Sequence, residues 1–227
     1  MSRIFANCTK FNQYINYQNI PTIQVMYYSY ENCLEFNQPL NFANTKLTST
    51  YSMMRNCISF NSPVNFSNTT QLQALEYTFH NCSVLGSEIN IENSFITKLI
   101  GTFQNCTFGN FKINISNCTN LYYAFYNCQA FNQPLNFNNK LTDVTSAFYG
   151  CVNLNQNIVL PTSLKTIPNY SFGWVPGDIY IPNTVTSIES SAFTGARIIH
   201  YNGSLTSSNN WGALSRDTGE WPEEFRI

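Results

Sequence analysis

The chain has 227 residues, a formal net charge of −1 and only 10% charged residues, while asparagine alone occurs 33 times. A surface this poor in positive charge is unsuited to nucleic acid, whose binding needs a basic face that displaces counterions from phosphates, and to anionic membrane surfaces. No apolar run reaches the ~20 residues of a membrane span, and the N-terminus lacks the apolar segment of a signal peptide. We therefore expect neither nucleic acid nor membrane as a partner.

Seven cysteines recur at nearly constant intervals along the chain. An aromatic residue three positions earlier and an asparagine one position earlier accompany most of them, as in Phe103-Gln104-Asn105-Cys106. Two further units keep the aromatic, at Phe172 and Phe193, without the cysteine, which gives about nine units. Even spacing is typical of structural repeats rather than of disulfide frameworks, so we expect buried, unpaired thiols. The seven are Cys8, Cys33, Cys57, Cys82, Cys106, Cys128 and Cys151.

Each of the seven units with a cysteine contains an apolar-x-apolar triplet that begins seven residues after it, and the last two units carry weaker triplets. Such alternation predicts a short strand with one buried face, and successive copies would pair in parallel about 4.8 Å apart. The sequence thus predicts a repeat solenoid with one short parallel strand per 21–25-residue unit, connected mostly by turns and short helical pieces. The triplets are 15–17, 40–42, 64–66, 89–91, 113–115, 135–137, 158–160, 179–181 and 199–201.

A second apolar position lies seven residues before the aromatic of most units. Cys118 occupies this position in one unit, so we interpret this eighth cysteine as a small apolar filler. No unit carries enough apolar residues to fold alone, and stacking must therefore supply the core. The other residues at this position are Ile23, Leu47, Leu72, Ile96 and Leu141.

The central residues of the strands form the candidate binding row, because strand alternation points them away from the core. Two interpretations stay open: stacked amides that only keep the sheet soluble, or a hydrogen-bonding strip for a glycan or peptide. In the last two units the central strand residue is not asparagine but Tyr180 or His200. We expect an exposed aromatic there, whose flat apolar face suits a sugar. The asparagines of the row are Asn16, Asn41, Asn65, Asn90, Asn114 and Asn136.

Residues for catalysis or metal binding are scarce. The two histidines, His80 and His200, lie five units apart, and no cysteine or histidine pairs have the spacing of a zinc site. We expect no enzymatic activity, no metal and no cofactor.

The two ends of the array differ. At the N-terminal face Phe11, Ile15 and Tyr17 have no preceding unit to cover them, and an open sheet edge recruits other strands. We expect this face to bind another copy of the chain or another structural protein. At the other end we expect residues 202–227 to form a cap or tail on a solenoid of residues 1–201.

These residues resemble the BspA-like leucine-rich repeats. The stretch "IYIPNTVTSIESSAFTGA" (179–196) is close to their consensus, and residues 1–160 look like an Asn-rich variant marked by "FNQPLN" and "NC". The segment "YNGSLTSSNNWGAL" (201–214) is similar to the one that often follows the last repeat. The resemblance implies a leucine-rich-repeat solenoid and surface adhesion, with matrix or receptor binding.

We therefore expect a non-enzymatic adhesion module that recognises a glycan or protein receptor on a cell surface. It would belong to a virion, for example a phage tail or receptor-binding component, or to a cell surface. Without a signal peptide in the chain, a virion component or a piece of a longer protein is favoured. The alternative is a purely structural spacer or decoration protein without a ligand.

Overall fold

The computed structural model describes residues 2–225, which form a parallel β-solenoid of about eight turns with little helix. This confirms the predicted repeat solenoid. Val175 and Ala196 take the cysteine position in the two units that lack the cysteine. The seven cysteines and these two residues make nine equivalent positions, and one turn of the solenoid separates each from the next. Eight turns therefore agree with about nine repeat units.

The strands are only two or three residues long, and all pair in parallel. Three sheets result, with the orders β1-β2-β3, β4-β6-β8-β9 and β5-β7. The register advances by one repeat, so that Val64 lies opposite Leu40 on one side and Ile89 on the other. The strands are β1 Leu40–Asn41, β2 Val64–Asn65, β3 Ile89–Asn90, β4 Ile158–Val159, β5 Thr166–Ile167, β6 Asp178–Tyr180, β7 Ser187–Ile188, β8 Ile198–His200 and β9 Ser215–Asp217.

The predicted strand at 15–17 does not form. A 3₁₀ turn, Tyr17–Asn19, begins there instead. The side-chain amide of Gln18 donates to the backbone carbonyls of Asn41 and Ala43, at 3.1 and 3.0 Å. A side chain therefore satisfies carbonyls of the next coil at this point.

The predicted strand at 135–137 is also absent, and here too a side chain bonds backbone carbonyls of a neighbouring coil. Asn138 donates from its side-chain amide to the carbonyls of Ser116 and Cys118, at 2.7 and 2.9 Å. The triplet 113–115 contributes a single bridge between Ile113 and Ile89. The strand side of the solenoid is consequently interrupted between β3 and β4.

The core consists of columns of similar apolar side chains, one per coil in each column. The aromatic column stacks with ring centroids 5.2–5.9 Å apart, within the range that favours offset aromatic pairs. The second apolar position of each unit is also buried, and Cys118 is only 2% exposed, as predicted. The column contains Phe79, Phe103, Phe125, Phe148, Phe172 and Phe193.

The Asn-Cys motif has a backbone explanation. The asparagines have φ between +58° and +66°. Glycine adopts this left-handed conformation most readily, and asparagine adopts it more readily than most other residues do. Gly150 and Gly195 occupy the same position with φ of +78° and +71°. The asparagines are Asn7, Asn32, Asn56, Asn81, Asn105 and Asn127.

Side chains of this motif connect successive coils. Each asparagine amide from Asn32 to Asn127 donates to the side-chain oxygen of the asparagine one coil earlier, at 2.7–3.1 Å. Each buried cysteine of the column donates from Sγ to a backbone carbonyl of the preceding coil, at 2.9–3.2 Å. All eight cysteines are unpaired, but Cys8 is exposed, so the prediction of burial is wrong for this thiol.

The segment after residue 201 packs on the last coil. Strand β9 pairs with β8, and the buried Trp211 ring contacts the Tyr201 ring edge-on at 5.7 Å. These contacts agree with a capping role, while the domain division at 201 and 202 stays a prediction. Residues 226 and 227 of the predicted cap lie outside the described residues.

Candidate binding surface

The asparagine row runs along the strand side of the solenoid with partly or fully exposed side chains. In five members the side-chain Oδ1 accepts a hydrogen bond from the backbone N–H two residues later, at 2.9–3.2 Å. This is the Asx-turn arrangement, which at Asn41, Asn65 and Asn90 begins at the last residue of a strand. The five are Asn16, Asn41, Asn65, Asn90 and Asn114.

The amide nitrogen of these side chains remains available. Within residues 2–225 no group pairs with the Nδ2 of any of the five asparagines, and the side chain of Asn136 has no hydrogen bond. Each amide nitrogen carries two N–H donors. The row therefore presents uncharged donors, one coil after another, that can bind oxygen acceptors of a ligand.

A groove of about 690 Å³ lies where the strand side is interrupted. Asn90, Asn114 and Asn136 line it together with Pro134. Charged side chains at Glu88, Glu92 and Lys112 also belong to the lining. The structure thus brings three of the six asparagines into one concave site. Of the other three, Asn41 and Asn65 lie on β1 and β2, and Asn16 precedes the 3₁₀ turn.

Tyr180 does not form the exposed end of the row. Its ring is only 4% exposed, because Phe225 and Trp221 pack on it with centroid distances of 4.6 and 5.6 Å. It also stacks on His200 at 4.3 Å. The expectation of an exposed aromatic is wrong here, since the C-terminal segment covers the sugar-binding face that the sequence suggested.

His200 lies between two carboxylates. Its Nδ1 is 3.0 Å from Asp217 and its Nε2 is 3.3 Å from Asp178, and Arg197 pairs with Asp178. Hydrogen bonds from the Gly219 N–H and from His200 lower the pKa of the Asp217 carboxyl. Because the three residues lie on β6, β8 and β9, this cluster joins the last coils and the C-terminal segment.

The N-terminal residues divide into two groups. Phe11 and Ile15 are partly exposed, as an assembly surface requires. Tyr17 is only 2% exposed; its ring contacts Phe42 at 4.6 Å and its hydroxyl bonds that of Tyr30. The expectation that Tyr17 is uncovered is therefore wrong, because the following coils bury it.

Tyrosines of the turns form a feature that the sequence analysis missed. Six of them, Tyr28, Tyr51, Tyr77, Tyr123, Tyr126 and Tyr149, lie two, five or six positions before the cysteine position and point outward. We call these six the tyrosine face. The signal was present in the sequence, because these tyrosines recur at only three offsets before the cysteine position.

Residues 2–225 contain neither a cluster of metal-binding side chains nor a membrane-spanning helix. No three histidine, cysteine, aspartate or glutamate side chains are grouped so that they could hold a metal ion. No helix there is long and apolar enough to cross a membrane.

Two family profiles match the chain. Residues 1–92 match a family described as a Mycoplasma protein of unknown function, DUF285, and residues 101–211 match the BspA type leucine rich repeat region in six copies. No curated protein and no solved structure matches the chain. Repeats of this type are generally surface or adhesion modules that mediate protein interactions. With its in-phase coils and both profile matches, the chain is a BspA-like leucine-rich repeat protein.

Proposed function

We propose that the protein is a non-enzymatic binding and adhesion module that recognises a glycan or a protein on a cell surface. It would act as part of a virion or of a cell surface. The asparagine row and its groove would form the recognition site, while the buried columns keep the row straight and evenly spaced.

The observation that carries this proposal is the row of unpaired amide donors. In five of the six asparagines the turn occupies Oδ1, so these side chains are fixed before a ligand arrives. Fixed donors lose little conformational freedom on binding, which favours affinity. Asn90, Asn114 and Asn136 also share a groove, as expected for side chains that contact one ligand.

A structural spacer or decoration protein is the second candidate. The observation that favours it is the Asx turn itself, because an asparagine that ends a strand needs no ligand to explain its presence. In that case the row would be a consequence of folding alone.

Alanine substitutions in the groove distinguish these candidates. The unmodified protein and the triple variant Asn90→Ala, Asn114→Ala, Asn136→Ala would be applied to a glycan array and to a panel of purified cell-surface proteins. We expect a signal that the triple variant loses. A matched variant with alanines at the exposed residues Thr70, Lys140 and Thr184 controls for nonspecific surface effects.

The absence of any signal on both panels would favour the structural candidate. Unfolding curves of both variants should be measured alongside, because a loss of binding counts only when the fold is intact.

A further inference from the structure

The tyrosine face is separate from the asparagine row, because its residues belong to the turns of each coil and not to the strands. Nine of the 14 tyrosines of the chain lie in these turns. Tyr122 and Tyr170 are respectively 38% and 44% exposed, and the six residues of the tyrosine face itself are partly exposed. Exposed aromatic groups that recur on one side of a molecule mark interaction sites.

The N-terminal half of the tyrosine face is a row of rings in contact. Tyr28 and Tyr51 meet edge-to-face at 5.4 Å, and Tyr51 and Tyr77 at 6.0 Å. The Tyr77 ring then lies against Gly101, where a Cβ would collide with it. These contacts hold the rings in place before a ligand binds.

The C-terminal half continues in the same way. Tyr123 and Tyr126 stack at 5.3 Å, and Tyr126 and Tyr149 at 5.2 Å. Tyr170 meets Tyr149 edge-on at 5.4 Å. The repeat of the solenoid therefore places one or more rings at nearly every coil, with spacings of 5–6 Å.

Charge limits the kind of ligand. The turns at 122–127 and 145–150 contain no charged side chain. In the N-terminal half Glu31 and Arg55 approach each other to 3.7 Å and offset one another. Glu76 and Arg3, whose guanidinium lies 4.8 Å from the centroid of the Tyr28 ring, are also opposite in charge. Because recognition across an interface requires complementary charge, a nearly neutral face favours a neutral ligand.

We infer that the tyrosine face binds a neutral oligosaccharide. A pyranose ring presents an apolar C–H face and a rim of hydroxyls, and a tyrosine ring presents an apolar body with a polar tip that matches both. A row of rings suits a polymer that repeats its own unit. Rings already held by neighbours lose little freedom on binding. The inference rests on the proposed binding function but places the ligand on a different face.

An oligosaccharide array that carries both neutral and acidic members tests the inference, with calorimetric titration of the strongest neutral ligand. We expect neutral members to bind, and the pair Tyr126→Ala, Tyr149→Ala to weaken the affinity at least about tenfold. The pair Tyr126→Phe, Tyr149→Phe keeps the rings and should retain most of it. Unfolding curves of all variants verify that the fold is intact.

The control pair Thr70→Ala, Lys140→Ala, at exposed residues outside both faces, should leave this affinity within about twofold. A further pair, Asn90→Ala, Asn114→Ala, shows whether the same ligand contacts the asparagine row. If the asparagine pair abolished binding and the tyrosine pair did not, the ligand would lie on the asparagine row; the proposed function would stand and this inference would fail. Binding to purified proteins without binding to any neutral oligosaccharide, or a preference for acidic members, would also overturn it.

Discussion

At the scale of single residues, the cysteine column shows why a small thiol recurs in this fold. Each buried Sγ fits between coils and donates to a carbonyl of the preceding coil. Burial raises the pKa of the Cys33 thiol to about 11 and that of Cys118 to about 12. Such thiols stay protonated near neutral pH, and the thiolate is the reactive form.

We therefore expect one thiol of the folded protein to be alkylated quickly and seven slowly. Cys8 is the exposed one, and Cys8→Ser should remove the fast reaction. Mass spectrometry of the protein after brief alkylation, with and without denaturant, measures this. Rapid modification of several cysteines without denaturant would show that the column is not buried.

The asparagine of the Asn-Cys motif is explained by its backbone. Asn105 has φ of +63°, a conformation that costs an alanine roughly 1–2 kcal/mol. Asn105→Gly and Asn105→Ala both remove the amide bonds to the neighbouring asparagines, so they differ mainly in backbone conformation. We expect the alanine variant to be less stable than the glycine variant by about 1 kcal/mol.

Urea unfolding of the two variants compares their free energies of unfolding. The chain itself supplies a precedent, since Gly150 occupies the same position with φ of +78°. An alanine variant that equals or exceeds the glycine variant in stability would mean that the left-handed conformation does not select this residue.

At the scale of the coil, inside and outside positions should differ in energy. Phe103 is fully buried between Phe79 and Phe125, at 5.6 and 5.5 Å. Phe103→Ala should lower the free energy of unfolding by about 3–5 kcal/mol, because it empties a core site. Asn114→Ala removes one exposed hydrogen bond, to the Ser116 N–H, and should cost less than about 1 kcal/mol.

Denaturant titrations of these two variants under the same conditions provide the comparison. Equal losses of stability would contradict the assignment of the aromatic column to the core and of the asparagine row to the surface.

The sequence predicted the repeats, the buried columns and the outward direction of the asparagine row, because a fixed period determines which positions share a column. It did not predict the missing strands at 15–17 and 135–137. At both places the side chain of Gln18 or Asn138 bonds carbonyls of a neighbouring coil, a contact that the period of the sequence does not reveal. The position of the C-terminal segment over Tyr180 was likewise missed, since that segment lies outside the periodic pattern.

At the scale of the whole molecule, apolar residues near the N-terminal face predict self-association. Ile4 is 42% exposed and precedes the partly exposed Phe5, whose ring stacks on that of the partly exposed Phe11 at 4.1 Å. We expect the apparent mass to increase with protein concentration and Ile4→Lys to reduce this increase. Light scattering after size-exclusion chromatography measures the mass.

Phe108→Lys is the matched control, because Phe108 is also exposed and lies about four coils away. A monomer at every concentration would contradict a role for the N-terminal face in assembly. An equal effect of both variants would show that the association is not specific to this face.

Hydrogen exchange tests the stacked solenoid itself most directly. The backbone N–H of the asparagine in each Asn-Cys motif donates to a carbonyl of the next coil at 2.6–2.9 Å, for Asn32, Asn56, Asn81, Asn105 and Asn127. Within residues 2–225 the N–H groups of Thr70 and Asn139 have no such partner. We expect the five asparagine amides to exchange at least about a thousandfold more slowly than these two, as measured residue by residue by NMR. Fast exchange at the five asparagines would contradict the hydrogen bonding of successive coils on which the proposed binding faces depend.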